Sequence, residues 1–222
     1  MTKRTIIGDM LWVLSLFIIT ALLAVPQTHQ VFVRWTKSYP YWMGFVKFAI
    51  LASIGELLAL RLAHHAWKLP IGLIYKVIVW GLIGMMITFM FSFYSTGVSA
   101  MVERGIINTG KGFLSTIYRA FLTSLIMNLT FGIVFMALHR LSDTYIELRI
   151  NEQKPSLNEL IQTIQWDGFI SFVVFKTIPI FWIPAHTITF TLPEHLRVVA
   201  AAYLSIMLGA ILVYAKMDPR KP

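Results

Sequence analysis

The sequence predicts an all-α fold: a polytopic bundle of about six transmembrane helices, bracketed between four and six, with a kinked fifth helix. Three observations carry this. The 222 residues are 57% hydrophobic and only 13% charged, whereas a soluble domain carries about 25% charged residues. The mean hydropathy is +0.71. Apolar runs of the ~20 residues that a bilayer crossing needs recur along the chain. No long strand-like alternation occurs, which argues against an outer-membrane barrel.

Six spans follow in order, at roughly 7–26, 41–62, 71–94, 112–138, 168–191 and 196–215, with boundaries good to ~2–4 residues. The first follows Lys3 and Arg4 as a signal peptide would, but Asp9 interrupts it and no A-x-A site follows. It therefore reads as a retained helix. Trp12, Trp35, Tyr39, Tyr41, Trp42 and Trp67 fall near span ends, where aromatic belts sit. The longest connection, 139–167, has its own signal. Ser156-Leu157-Asn158-Glu159 follows Pro155 with capping-box spacing. Leu157, Leu160, Ile161 and Ile164 then recur at helical intervals. This predicts a short amphipathic helix that ends at Trp166 and anchors the fifth span. No second domain or internal repeat emerges, so residues 1–222 read as one integral membrane domain.

Basic residues set orientation. Lys3, Arg4, Arg61, Lys68, Arg140, Arg149, Lys154, Lys216, Arg220 and Lys221 gather on one side. Arg34, Lys37, Arg104, Lys111 and Arg197 lie on the other. Both termini are expected to be cytoplasmic, in a bacterial inner membrane, with an organelle inner membrane as the alternative. The net charge of +9 suits topology signals and anchors to anionic lipid, so the bilayer is the expected partner and nucleic acid is not. Cysteine is absent, which excludes disulfides and thiol chemistry. No metal or cofactor motif is present.

Charges inside spans need a reason, since one at mid-bilayer costs ~2.5–3.5 kcal/mol on insertion scales. Lys47, Lys76 and Arg119 lie near span starts, and their stems are expected to snorkel outward. Glu56 is too short for that, and Lys176 is about eight residues inside the fifth span. Two readings fit them: a buried Glu56–Lys176 pair, or a charged lining of a wet path. Asn128 and His186 must find partners in lipid. Ala201, Ser205 and Gly209 form a small-residue stripe for helix packing, within the chain or in a homo-oligomer.

The fifth span holds Pro179 and Pro184 on either side of Trp182. Neither proline can donate to the carbonyl four residues back, which frees those of Phe175 and Ile180. Such carbonyls survive in a membrane only where protein or water meets them. The helix is therefore expected to be kinked or broken toward the bundle interior, as where transporters hold solutes. The solute-path candidates are Lys176, Glu56, His186, Asn128, Pro179, Pro184, Trp182 and Arg119.

At these residues the chain resembles the Mpv/PMP family of small integral membrane proteins, and most closely its bacterial members. The resemblance spans about residues 41–215. Its C-terminal signature of Trp-Pro, Asn-Phe and Pro-x-x-x-Arg is met by Trp182 and Pro184 with Ile183 between them, by Phe190, and by Pro193 and Arg197. Thr189 stands in place of the asparagine. Gly55-Glu56 is similar to the family's Gly-Asp, with Leu60 where glutamine is usual, and Asn128 and Phe131 are similar to an Asp-Gln…Phe element. The resemblance implies a channel-like or solute-homeostasis role. It also implies four spans, which would make two of the six additions.

Three functions follow as expectations. One is a channel-like or transporter-like path for small solutes, anionic if the intramembrane cations line it. Another is a non-transporting structural or assembly protein whose buried polar groups are all paired. A remote third is an intramembrane hydrolase, suggested by Glu56…Arg61 and by Phe135-x-x-x-His139; His139-x-x-x-Asp143 only reuses that histidine at a span end, and no H-E-x-x-H, G-x-S-x-G or P-loop occurs.

Overall fold

The computed structural model describes the backbone of residues 3–151 and 153–217, and the side chains of 5–151 and 153–211. The topology-setting side chains of Lys3, Arg4, Lys216, Arg220 and Lys221 lie outside the described residues. Among the described residues there are eight continuous helices and no strand. These are α1 (Lys3–Ala24), α2 (Pro26–Ser38), α3 (Pro40–His64), α4 (Leu73–Glu103), α5 (Gly112–Ile150), α6 (Leu157–Thr163), α7 (Trp166–Thr191) and α8 (Glu194–Met217). Six of them, α1, α3, α4, α5, α7 and α8, are long and apolar enough to cross a membrane. This is a polytopic membrane protein.

Several helices outrun the apolar stretches that announce them. α4 continues to Glu103, and α5 runs 39 residues to Ile150. Hydropathy marks where the lipid ends, whereas backbone hydrogen bonding continues until a residue stops it. His139 is consequently inside α5, 3.5 Å from Asp143 one turn on. α2 falls between the first two spans. Pro26 has no N–H to donate into α1 and starts α2 at its first turn, and Pro40 does the same for α3. α6 carries the expected cap: Glu159 N–H donates to Ser156 Oγ, and Ser156 N–H donates to Glu159 Oε2. Pro193 occupies the turn into α8.

The prolines of α7 do not break it. Phe169–Trp182 is a π-helix, and Ile183 N–H donates to the Ile178 carbonyl five residues back. Widening the turn absorbs Pro179 while the helix continues. α5 holds a shorter π segment, Asn128–Gly132.

Ile87–Ala201 forms one compact unit, and the chain on either side of it forms another. α4 and α8 each give a segment to both.

In the flanking unit, α1, α3 and α4 are joined by polar contacts at one end. Arg61 donates to Asp9 through Nε at 2.8 Å and Nη2 at 3.0 Å, and Trp67 Nε1 donates to the same carboxylate at 2.9 Å. Lys76 Nζ donates to Glu56 at 2.7 Å, and Trp80 Nε1 lies 3.4 Å from its other oxygen. Two expectations fail here. Lys47 and Lys76 do not snorkel; they are 6% and 7% exposed. Glu56 pairs with Lys76 and not with Lys176, because residues 56 and 76 project from adjacent helices that share a turn. Lys47 instead places its ammonium 4.6 Å from the Phe32 ring centroid on α2, a cation–π contact. Trp12, expected in an aromatic belt, donates to the Ile54 carbonyl at 2.9 Å.

Glycines set the spacing of these helices. A Cβ on Gly84 would fall 2.2 Å from the Gly44 carbonyl oxygen, so α3 and α4 cross nearly backbone to backbone. Gly209 of the small-residue stripe faces Ala59 Cβ at 3.7 Å on α3, and Ala201 is buried. Gly209 of the stripe thus packs within the chain, while Ser205 and Gly209 remain partly exposed.

Candidate functional site: a cationic cavity and the polar ladder beneath it

The second unit, Ile87–Ala201, holds a cavity of about 500 Å³. Its walls come from the C-terminal part of α4, the loop 104–111, the start of α5, the end of α7 and the start of α8. Three cations border it: Lys111, Arg119 and Arg197. Ser95 and Ser99 line it from α4, and Ser115, Thr116 and Thr123 from α5; the Ser95 hydroxyl donates to the Ser92 carbonyl at 3.2 Å. Phe190 supplies an apolar wall, and no carboxylate is among the lining residues.

The local sequence explains this convergence. Ser95 and Ser99 are four apart, as are Ser115, Arg119 and Thr123, so each set shares one helix face. Gly110 and Gly112 adopt φ of 72° and 76°, a left-handed region that lets the chain turn sharply on either side of Lys111. Asn108 Oδ1 accepts the Gly110 N–H at 3.0 Å and steadies that turn. Thr109 Oγ1 lies 2.8 Å from Ser115 Oγ and accepts from Arg119 Nε at 3.4 Å, tying the loop to α5.

Arg197 is held from the other side. Its Nε donates to the Leu192 carbonyl at 3.0 Å, and its guanidinium lies 5.7 Å from the Phe190 ring centroid. Glu194, one turn back on α8, is the nearest acid in sequence; it accepts from Ser92 Oγ at 3.5 Å. The terminal nitrogens of Arg119 and Arg197 have no protein partner among the described residues.

A buried polar ladder continues along α5. Thr123 Oγ1 donates to the Arg119 carbonyl at 2.8 Å. Ser124, fully buried, donates to the Ile183 carbonyl on α7 at 2.7 Å. Asn128 Nδ2 donates to the Ser124 carbonyl at 2.8 Å and faces His186 Nδ1 at 3.2 Å. The same Nδ1 lies 3.3 Å from Asn128 Oδ1, so it accepts from the amide in one imidazole tautomer and donates to it in the other. Its ring stacks on Trp182 at 5.0 Å and meets Phe91 edge-on at 5.4 Å. Phe190, one turn further along α7, touches Phe91 at 4.9 Å. Phe190 therefore belongs both to the cavity wall and to the aromatic packing around His186. Trp182 Nε1 is buried without a hydrogen-bond partner among the described residues.

The sequence-predicted residues divide accordingly. Arg119, Phe190 and Arg197 meet at the cavity, and Asn128, His186 and Trp182 meet below it. Lys176, Pro179, Pro184 and Pro193 are exposed and join neither group. Lys176 stands on the outer face of α7 beside exposed Phe172, Phe175 and Ile180. Lys176 is not among the residues that line the cavity. Glu56 and Gly55 belong to the flanking unit, where Glu56 is paired as described and a Cβ on Gly55 would sit 3.1 Å from the Ile206 backbone. Lys111, read from the sequence as a topology residue, and Ser95, Ser99, Ser115 and Thr116 join Arg119, Phe190 and Arg197 at the cavity. The four-residue spacing of Ser95 with Ser99, and of Lys111 with Ser115 and Arg119, is the signal the sequence offers. Among the described residues no three His, Asp or Glu side chains converge as a metal site would require.

Against known proteins, the chain matches no family model, no curated protein and no solved structure.

Proposed function

We propose that this protein conducts or transports small anionic solutes, with the cavity bordered by Lys111, Arg119 and Arg197 as its entry vestibule. One observation carries the reading: three cations and five hydroxyl side chains line about 500 Å³ with no acid among them. A low-dielectric recess of one sign focuses potential and concentrates counter-ions. The ladder of Thr123, Ser124, Asn128 and His186 offers polar contacts further in, with Phe190 as the constriction between. On the expected topology, with cytoplasmic termini in a bacterial inner membrane, the vestibule opens to the outside. The resemblance to the Mpv/PMP family agrees with a solute role.

The test is anion flux into proteoliposomes from wild type, Arg119→Gln and Lys176→Gln at matched protein levels. Arg119→Gln is expected to lower flux severalfold and Lys176→Gln to leave it unchanged. Equal flux from all three, or none above empty liposomes from folded protein, would refute the vestibule.

A second reading has its own observation. Ser124, Asn128 and His186 satisfy one another and the Ile183 carbonyl. That pairing is what a structural membrane protein with no solute path requires, and absence of flux would favour it.

A further inference from the structure

We propose that the cavity is a binding site for a hydroxylated organic oxyanion, a phosphomonoester or hydroxycarboxylate of metabolite size, gripped between Arg119 and Arg197. The assignment rests on the vestibule reading and narrows it from any small anion to one chemical class.

Size speaks against a bare ion. A water occupies about 30 Å³ of liquid, so the cavity's 500 Å³ exceeds what a halide or free phosphate fills. Volumes of roughly 300–1,000 Å³ are those that take small organic ligands.

The cations are of the type that recognises oxyanions. Arg119 and Arg197 each commit Nε to the protein, to Thr109 Oγ1 and to the Leu192 carbonyl. This tethers Arg197 firmly and Arg119 more loosely, and leaves the terminal nitrogens of both for a ligand. A planar fork matches paired oxygens bidentately and gains nothing comparable from a spherical halide.

The remaining wall asks for hydroxyls rather than a hydrocarbon or a ring. Ser99 and Thr116 border the cavity with no hydrogen-bond partner among the described residues. Apart from Phe190 no aromatic side chain lines it, so a stacked base has no platform. The same chemistry could arrive free in solution or as a lipid headgroup such as glycerophosphate.

The experiment uses the full chain in nanodiscs of zwitterionic phosphatidylcholine. Glycerol 3-phosphate, inorganic phosphate and chloride are titrated calorimetrically into wild type, Arg119→Gln, Arg119→Lys, Arg197→Gln and Lys176→Gln. Size-exclusion profile and thermal unfolding confirm that each variant is folded. In a parallel arm, native mass spectrometry counts phosphatidylglycerol retained from mixed nanodiscs.

Glycerol 3-phosphate is expected to bind about tenfold more tightly than phosphate, a difference of ~1.4 kcal/mol, and chloride weakly. Either Gln variant should lose about tenfold or more, and Arg119→Lys should not restore it, since lysine keeps the charge without the fork. Lys176→Gln should bind as wild type. Arg119→Lys keeps the proposal testable if a Gln variant misfolds. Equal affinity for the three anions would overturn the organic-oxyanion class and leave the anion vestibule standing. Phosphatidylglycerol retained by wild type and lost in Arg119→Gln, without binding of free glycerol 3-phosphate, would support the chemistry, assign the source to lipid and overturn the solute path. No binding in either arm by folded protein would overturn both.

Discussion

Arg119 on α5 and Arg197 on α8 border one cavity, each held by its Nε and each without a carboxylate bonded to its terminal nitrogens among the described residues. Like charges facing a common recess destabilise the empty state, so an anion that occupies it stabilises the fold.

Anion-dependent stability follows. A ligand at a hundredfold above its Kd raises the free energy of unfolding by about 2.7 kcal/mol. Thermal unfolding in detergent at constant ionic strength, with chloride exchanged for phosphate ester, should show a rise in wild type. The rise should shrink in Arg197→Gln. A rise of the same size in both would place the stabilising anion elsewhere.

Lys76 and Lys176 should behave oppositely. Lys76 is buried and bonded to Glu56 at 2.7 Å, whereas Lys176 is exposed on α7. Removing one member of a fully buried pair costs about 3–5 kcal/mol, an upper bound here because Glu56 is only part-buried, and exposed changes stay within about 0.5 kcal/mol. Denaturant unfolding in mixed micelles should therefore rank Lys76→Ala far below Lys176→Ala. In a double-mutant cycle with Glu56→Ala, only Lys76 should couple. Coupling to Lys176 would contradict the packing described here.

Gly84→Ala should separate α3 from α4. The added carbon would meet the Gly44 carbonyl oxygen at 2.2 Å and Phe48 Cβ at 2.7 Å, and backbone cannot rotate away as a side chain can. Overpacking typically costs about 1–3 kcal/mol, and this site should fall at or above the upper end. Gly97→Ala, where a Cβ meets nothing within 4 Å, is the control and should be neutral or slightly stabilising. A neutral Gly84→Ala would rule out the close crossing.

The α6 cap should titrate. Ser156 N–H and Oγ both donate to Glu159 Oε2, and these hydrogen bonds hold the Glu159 carboxyl below its usual range. A depressed folded pKa stabilises the helix above the unfolded carboxylate range, and that stability is lost as pH falls through the folded pKa. Protection of the Ser156 and Leu160 amides, taken relative to the intrinsic exchange rate at each pH, should therefore fall as pH drops through the folded carboxyl pKa. Glu159→Gln should abolish the pH dependence of that protection. Protection that stays constant with pH in wild type would show that the carboxylate does not hold the cap.

The sequence alone determined what short-range rules decide. Apolar runs marked all six membrane-crossing helices, because a helix in lipid must satisfy its own backbone and so must be long and apolar. The Ser156–Glu159 cap and the turn at Pro193 were legible for the same local reason. Composition also announced that Asn128 and His186 needed partners, though not that they would find each other. Which charges meet was settled only by tertiary packing. Lys76 and Lys176 look alike in sequence, yet Lys76 is buried against Glu56 and Lys176 is exposed on α7. Four-residue spacing placed Ser115, Arg119 and Thr123 on one face, but spacing carries no information about what that face meets. The cavity exists because α4, α5, α7 and α8 bring separate polar faces together, and only long-range contacts fix that meeting.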